Sequence, residues 1–229
     1  MAQAASKNHA EGHRQRLKSR FLKSGQESLA DYELIELLLF YARPRVDVKP
    51  TAKELLSKFG SFAELITADP KEILSVSGTG ENTVTLLKAV QAAAQKLAQE
   101  QVMNRSVLSS WRQVIEYCRL RIGFEKNESF HLLFLDHKNI LIADEKQQQG
   151  TVDRTPLYPR EVIKRALELH ASALILVHNH PSGDPTPSRA DLELTDQVIE
   201  AARPLGVRVH DHIIITKNGH ASLKNMGII

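Results

Sequence analysis

The sequence has little of what several common kinds of site require. A single cysteine, Cys118, in 229 residues excludes an internal disulfide and every metal site built on paired thiolates, so a metal here must be held by His, Asp or Glu. No apolar run approaches the roughly 18 residues of a membrane helix. The opening MAQAASKNHAEGHRQRLK has no hydrophobic segment of the signal-peptide kind, and the expectation is a cytoplasmic protein with no membrane partner. Aromatic residues make up 5% of the chain, which argues against a base-stacking platform for single-stranded nucleic acid. Neither a phosphate-binding loop of the Walker kind nor a Rossmann fingerprint occurs, so no nucleotide cofactor is expected. Charge of one sign is not in excess either: 30 Lys and Arg face 27 Asp and Glu.

What is present is ordinary globular material, 42% hydrophobic and 25% charged, which excludes disorder as a whole-chain description. Residues 1–23 are locally basic (Lys7, Arg14, Arg16, Lys18, Arg20, Lys23, with Glu11 the one acid) and read as a flexible arm able to touch phosphates, or as a solvated terminus. Residues 24–101 show short amphipathic segments such as LADYELIELLLFYA, AKELLSKF and ENTVTLLKAVQAAAQKLAQ, punctuated by Pro, Gly or Ser, which predicts a small all-α unit. Gly60 reads as a helix C-cap and Asp69-Pro70 as a helix start. The composition change at Val102 to Ser110 is the expected boundary. After the helix SWRQVIEYCRLRIG, residues 105–229 switch to strands at 129–136, 139–146 and GTVD, then to a helix from Pro159, the apolar run ALILVHNH, a further helix and the strand VRVHDHIIITK. That alternation is α/β.

Most of the functional information lies in the segment from His178 to Asp191. Strand side chains alternate, so His178 and His180 project from one face at the end of ALILV. The ten residues after His180 hold three prolines and a glycine and read as a stiff loop that returns Asp191, in the first turn of the next helix, as an oxygen ligand. Three protein ligands leave a fourth position for water, the arrangement of a catalytic zinc site. Ser188 and Asp191 also read as a helix-capping pair. His210 and His212 alternate along VHDHIII and are expected in hydrogen-bonded supporting roles. A zinc hydrolase needs a carboxylate near the bound water, and the ligand loop contains no Glu; Glu128 and Glu145, on neighbouring strands, are the candidates.

The spacing H-x-H-x(7)-S-x(2)-D is similar to the JAMM (MPN+) metallopeptidase motif. With Gly150-Thr151, Pro159-Arg160-Glu161, His178-Asn179-His180-Pro181-Ser182-Gly183, Pro187-Ser188, Asp191 and Asp211-His212-Ile213-Ile214, residues 105–229 resemble the bacterial RadC family, and a similar helical region precedes them. The resemblance implies a JAMM/MPN-type, cytidine-deaminase-like α/β (α+β) metallo-domain with one zinc on His178, His180 and Asp191. It also implies a glutamate acid/base at the start of the first strand, hence Glu128, with Ser188 assisting. Asn179 stands where the deubiquitinating branch has Ser or Thr, so ubiquitin-like substrates are not implied.

The Gly78-Thr79-Gly80 turn between two helices resembles a helix-hairpin-helix, in which glycine lets backbone N–H groups approach a DNA phosphate. Thr79 in place of an aliphatic residue and Glu81 beside the turn depart from that pattern, and a packing turn is the alternative. Two readings result. One is a zinc-dependent metallopeptidase acting on a peptide or protein substrate. The other is a DNA-repair accessory that contacts DNA backbone non-specifically through Gly78 and Gly80, its zinc structural or vestigial.

Overall fold

A computed structural model describes residues 2–147 and 157–229, with side chains from residue 12; the expected GTVD strand falls outside them. The chain divides into two compact units, Met1–Ala93 and Ala94–Ile229. Among the described residues no helix is long and apolar enough to cross a membrane.

The first unit is helical: α1 (Ala2–Ser24), α2 (Asp31–Ala42), α3 (Lys49–Phe59), α4 (Phe62–Thr67), α5 (Pro70–Leu74) and the start of α6 (Glu81–Val102). Ile35, Leu39, Leu55, Leu65, Ile73 and Leu87 form its core. Gly60 closes α3 at φ 84°, in the left-handed region that glycine tolerates, and Asp69 caps α5 by accepting from the Lys71 N–H. The basic arm is not an arm. Residues 2–23 fall within α1, Leu17 is buried in the core, and Arg14 donates to the main-chain oxygens of Phe40, Arg43 and Val46. Arg20 pairs with Glu33 and Lys18 lies over the Tyr41 ring, so part of the positive charge is spent inside the unit.

The units meet inside α6, earlier than the composition change suggests. Leu87 belongs to the first core, whereas Ala98 and Val102 pack into the second. The segment after α6 adds to the second unit's sheet, with the Asn104 N–H donating to Leu141 O and the Leu141 N–H to Arg105 O.

The second unit continues with α7 (Trp111–Ile122), β1 (Phe130–Leu135), β2 (Leu141–Lys146), α8 (Pro159–Glu168), β3 (Ala173–Asn179), α9 (Arg189–Ala202), β4 (Arg208–Ile215) and β5 (His220–Ser222). The strands form one sheet in the order β2-β1-β3-β4-β5. β1 runs antiparallel to both neighbours, and β3 and β4 are parallel. Every residue of β3 is buried, as expected of a central strand covered on both faces. Ile175 and Val177 face one apolar cluster with α7; Leu174 and Leu176 face another with α8 and α9.

The α7 face also buries a polar cluster. Asp144 accepts from the Tyr117 hydroxyl and from His131 Nδ1 at 2.9 Å, with Arg121 at 3.8 Å. Burial pushes the Asp144 carboxyl up, but the His131 and Tyr117 contacts outweigh it and hold the group below the ordinary carboxylate range. A carboxyl depressed in the folded state contributes stability above its unfolded value, and that stability is lost as pH falls through the folded value. Asp144→Asn is therefore expected to lower unfolding stability at neutral pH by about 2–4 kcal/mol and to flatten its decline below about pH 4. Urea titrations across that range check both.

Candidate metal centre

Strand β3 delivers the two histidines. His178 continues the face of Leu174 and Leu176, and the His180 N–H donates to Ile215 O at 2.9 Å, which keeps the chain alongside β4 for one more residue. Phe130, the cross-strand partner of His178, stacks on its ring at 5.3 Å and 8°. The loop then turns through Gly183 at φ 88° and is braced by Asp184, whose Oδ1 accepts from the Thr186 N–H and hydroxyl.

Asp191 arrives through the capping of α9. Ser188 Oγ accepts from the Asp191 N–H at 3.2 Å, and Asp191 Oδ2 accepts from the Ser188 N–H at 2.7 Å. This capping box does not compete with a ligand role. It aims the carboxylate, leaving Oδ1 3.2 Å from His178 Nε2 and Oδ2 3.4 Å from His180 Nε2. Ligand atoms of His178, His180 and Asp191 lie within 4.8 Å of one another, His178 buried and the other two half-buried.

The positions of the protons follow from the acceptors around the site. His180 Nδ1 lies 2.9 Å from the carbonyl oxygen of Asp184; a carbonyl only accepts, so Nδ1 holds a proton and Nε2 is the atom turned to the site. Thr195 Oγ1 is 2.6 Å from the Asp191 carbonyl and 2.6 Å from His212 Nδ1. The hydroxyl gives its proton to the carbonyl and accepts from His212 Nδ1. His212 is fully buried, and burial, reinforced by the neighbouring His178, pushes its pKa down to about 3, so it is neutral. Its Nε2 then accepts from His178 Nδ1 at 2.8 Å. With both Nδ1 atoms so engaged, the two Nε2 atoms, 2.9 Å apart, are the ones that face each other and the carboxylate. Burial alone would raise the Asp191 carboxyl, but the facing His178 imidazole and the Ser188 contacts hold it well below the usual range.

Two imidazole nitrogens and a carboxylate converging on one point are complemented by a cation. Metal–ligand bonds of about 2.0–2.1 Å in a tetrahedron separate ligand atoms by about 3.3 Å, close to the spacing found. The donor set fits a divalent ion.

Comparison with known proteins agrees in extent. A family model described as the RadC-like JAB domain matches residues 108–228, and one described as UPF0758 N-terminal matches residues 10–85. The chain belongs to the RadC family. A UPF0758 protein of Rhodobacter capsulatus is 55% identical over 213 residues, 93% of this chain and 100% of the relative.

Other residues singled out in this RadC-family sequence fall in different settings. Glu128 is exposed and lies two residues ahead of β1 rather than in it. The residue two positions on, Phe130, pairs with His178 at the end of the β1–β3 ladder. Glu145 pairs with Leu132 on β2, and Arg165 engages both its oxygens at 2.6–3.0 Å. His210 and His212 do not share a face: β4 carries an extra residue opposite Leu174 and Ile175, and His210 bonds Asn139 instead. Gly78, at φ 79°, is enclosed, since a Cβ there would meet Arg43 and Thr51 side chains at 2.7 Å; nothing lies within 4 Å of a Cβ at Gly80. Sequence reasoning missed Thr195 and the bonding of Asn179. Both carry polar side chains into buried positions, a signal visible only once burial is known.

His212→Phe keeps the bulk but removes the acceptor that fixes the His178 tautomer. Metal affinity is expected to fall about 10–100-fold with the fold retained, and Thr195→Val to act in the same direction more weakly. Competition against a chromogenic chelator measures both; an unchanged affinity in His212→Phe would show that the tautomer is set by other means.

Proposed function

We propose that this RadC-family protein is a zinc-dependent hydrolase of the JAMM type that cleaves a peptide or isopeptide bond. The observation that carries the reading is the convergence of two imidazole nitrogens and one carboxylate, each oriented from behind by a hydrogen bond. On this reading the second unit is a JAMM/MPN-type, cytidine-deaminase-like domain. His178, His180 and Asp191 would hold zinc, which would supply a water that is nucleophilic near neutral pH.

The chain's own groups do the rest. Glu128 accepts the proton of the attacking water and delivers it to the leaving amine, which a carboxylate can do and an amide cannot. Its exposure and its place two residues ahead of the Phe130–His178 pair support this role, whereas Glu145 is committed to Arg165 on both oxygens. Ser188 Oγ spends a lone pair on the Asp191 N–H and keeps its hydroxyl proton to donate to the carbonyl oxygen of the substrate.

A second reading concerns the first unit, taken as helix-hairpin-helix-like and contacting duplex DNA through phosphates. The α6 start has no side-chain cap at Gly80, and a hollow of about 440 Å³ there is lined by Arg43, Thr79, Gly80, Glu81, Asn82 and Thr83. The N–H groups of a helix start and an arginine, which also donates to the Gly78 carbonyl, are what a phosphate uses, while Glu81 opposes it.

Purified protein is expected to carry about one zinc per chain, lost in a His178→Ala/His180→Ala double variant; elemental analysis decides this, and stoichiometric zinc in the double variant would move the site elsewhere. In a peptide-cleavage screen, Glu128→Gln should retain zinc and lose hydrolysis while Glu145→Gln stays active, and the reverse pattern exchanges their roles. For DNA, a fluorescent duplex titrated at two salt concentrations should show steeply salt-dependent binding. Gly80→Val, which meets nothing within the protein, should weaken it; binding unaffected by that change would leave the turn a packing element.

A further inference from the structure

The residue between the two metal-binding histidines points to the other side of the sheet. A strand that presents His178 and His180 on one face must present Asn179 on the opposite one, where its neighbours on β3 and β4 are Ile175, Val177, Ile213 and Ile215. Asn179 is 1% exposed, and an amide in such surroundings is costly unless each of its polar atoms is matched. All of the matches come from one short segment. Asn179 Oδ1 accepts from the Ser129 N–H at 2.7 Å and from the Ser129 hydroxyl at 3.2 Å. Its Nδ2 donates to the carbonyl oxygens of Glu125 and Asn127, both at 3.1 Å. The carboxamide thus grips residues 125–129 at three successive odd positions, and Lys146 holds the same segment from β2 through both carboxylate oxygens of Glu125 at 2.9 Å.

The even-numbered residue between the last two grips is Glu128. We infer that Asn179 is a positioning residue: its carboxamide fixes the 125–129 segment so that Glu128 is held over the metal centre on the far face of the sheet. One strand then sets both halves of the chemistry, the ligands through its even residues and the acid/base group through the odd residue between them. This rests on the reading of Glu128 as the acid/base group. Without the four bonds, the segment leading into β1 loses its anchor to β3, and the Glu128 carboxylate loses its defined distance from the site while the ligands keep theirs.

The test uses the full-length chain loaded with Co²⁺ in place of zinc, following the visible spectrum of the bound ion against pH. Wild type, Glu128→Gln, Asn179→Ala and the double variant are compared, with amide hydrogen exchange at residues 125–129 measured alongside. Asn179→Ala should bind Co²⁺ stoichiometrically, shift the spectral pH midpoint in the same direction as Glu128→Gln, and add nothing in the Glu128→Gln background. Exchange of the Ser129 amide should rise about tenfold or more, as expected for loss of one hydrogen bond. Asn179→Asp keeps the shape and the accepting oxygen but sets a second oxygen against two carbonyls; it should reproduce the shift and serves where Asn179→Ala fails to fold. If Glu128→Gln moves the midpoint and folded Asn179 variants do not, or if their shift adds to it, the positioning role is overturned and the acid/base assignment stands. If Glu128→Gln itself leaves the midpoint unchanged, the assignment of Glu128 fails and this inference falls with it.

Discussion

Two imidazoles whose Nε2 atoms meet at 2.9 Å beside a carboxylate are suited to a positive charge between them. Each ring is turned that way because its Nδ1 is committed elsewhere, one to the Asp184 carbonyl and one to His212. Much of the second unit serves that commitment. The parallel pairing of β3 with β4 brings His212 beside His178. A parallel pair requires a crossover, and the crossover helix α9 begins at the end of the sheet where β3 finishes. Asp191, in its first turn, is therefore delivered to the histidines by topology, and the capping box then settles which oxygen faces which nitrogen.

The central strand divides its work by parity. Even residues of β3 build one apolar layer and end in the ligand histidines; odd residues build the other layer and end in Asn179. A one-residue slip in register would exchange the two sets and place both imidazoles in an apolar core. Burial of all seven residues of β3 makes such a slip costly, so the strength of the core and the definition of the site have the same origin.

The meeting of His178, His180 and Asp191 was legible because its information is local: alternation on a strand, a proline-stiffened loop and a carboxylate in the first turn of a helix. The helices of the first unit were legible from their caps, as at Gly60 and Asp69. What escaped was set by contacts between distant main-chain atoms, which residue type does not encode. Arg14 anchors α1 by reaching three carbonyl oxygens more than twenty residues away, so a basic stretch that reads as solvated is part of a packed unit. The division of the chain at Ala93 was not legible, because α6 changes cores in mid-helix without changing composition at that point. The bulge in β4 that separates His210 from His212 leaves no mark in an alternating sequence. Gly78 was legible as a turn glycine, but its closeness to Arg43 and Thr51 was not.

The hydrogen bonds behind the histidines do not run outward and stop. They pass from His178 on β3 to His212 on β4, to Thr195 on α9, and back to the main chain of Asp191, whose side chain faces His178 again. The path is a closed ring through three elements. The first turn of a helix is ordinarily where it frays, opening with little effect on the remainder. Here, fraying at Asp191 breaks the ring and releases the strands' side chains with it. The weakest stretch of α9 has been made a cooperative part of the sheet, so the grouping of His178, His180 and Asp191 is present in full or lost in one step, with little room for a half-formed site.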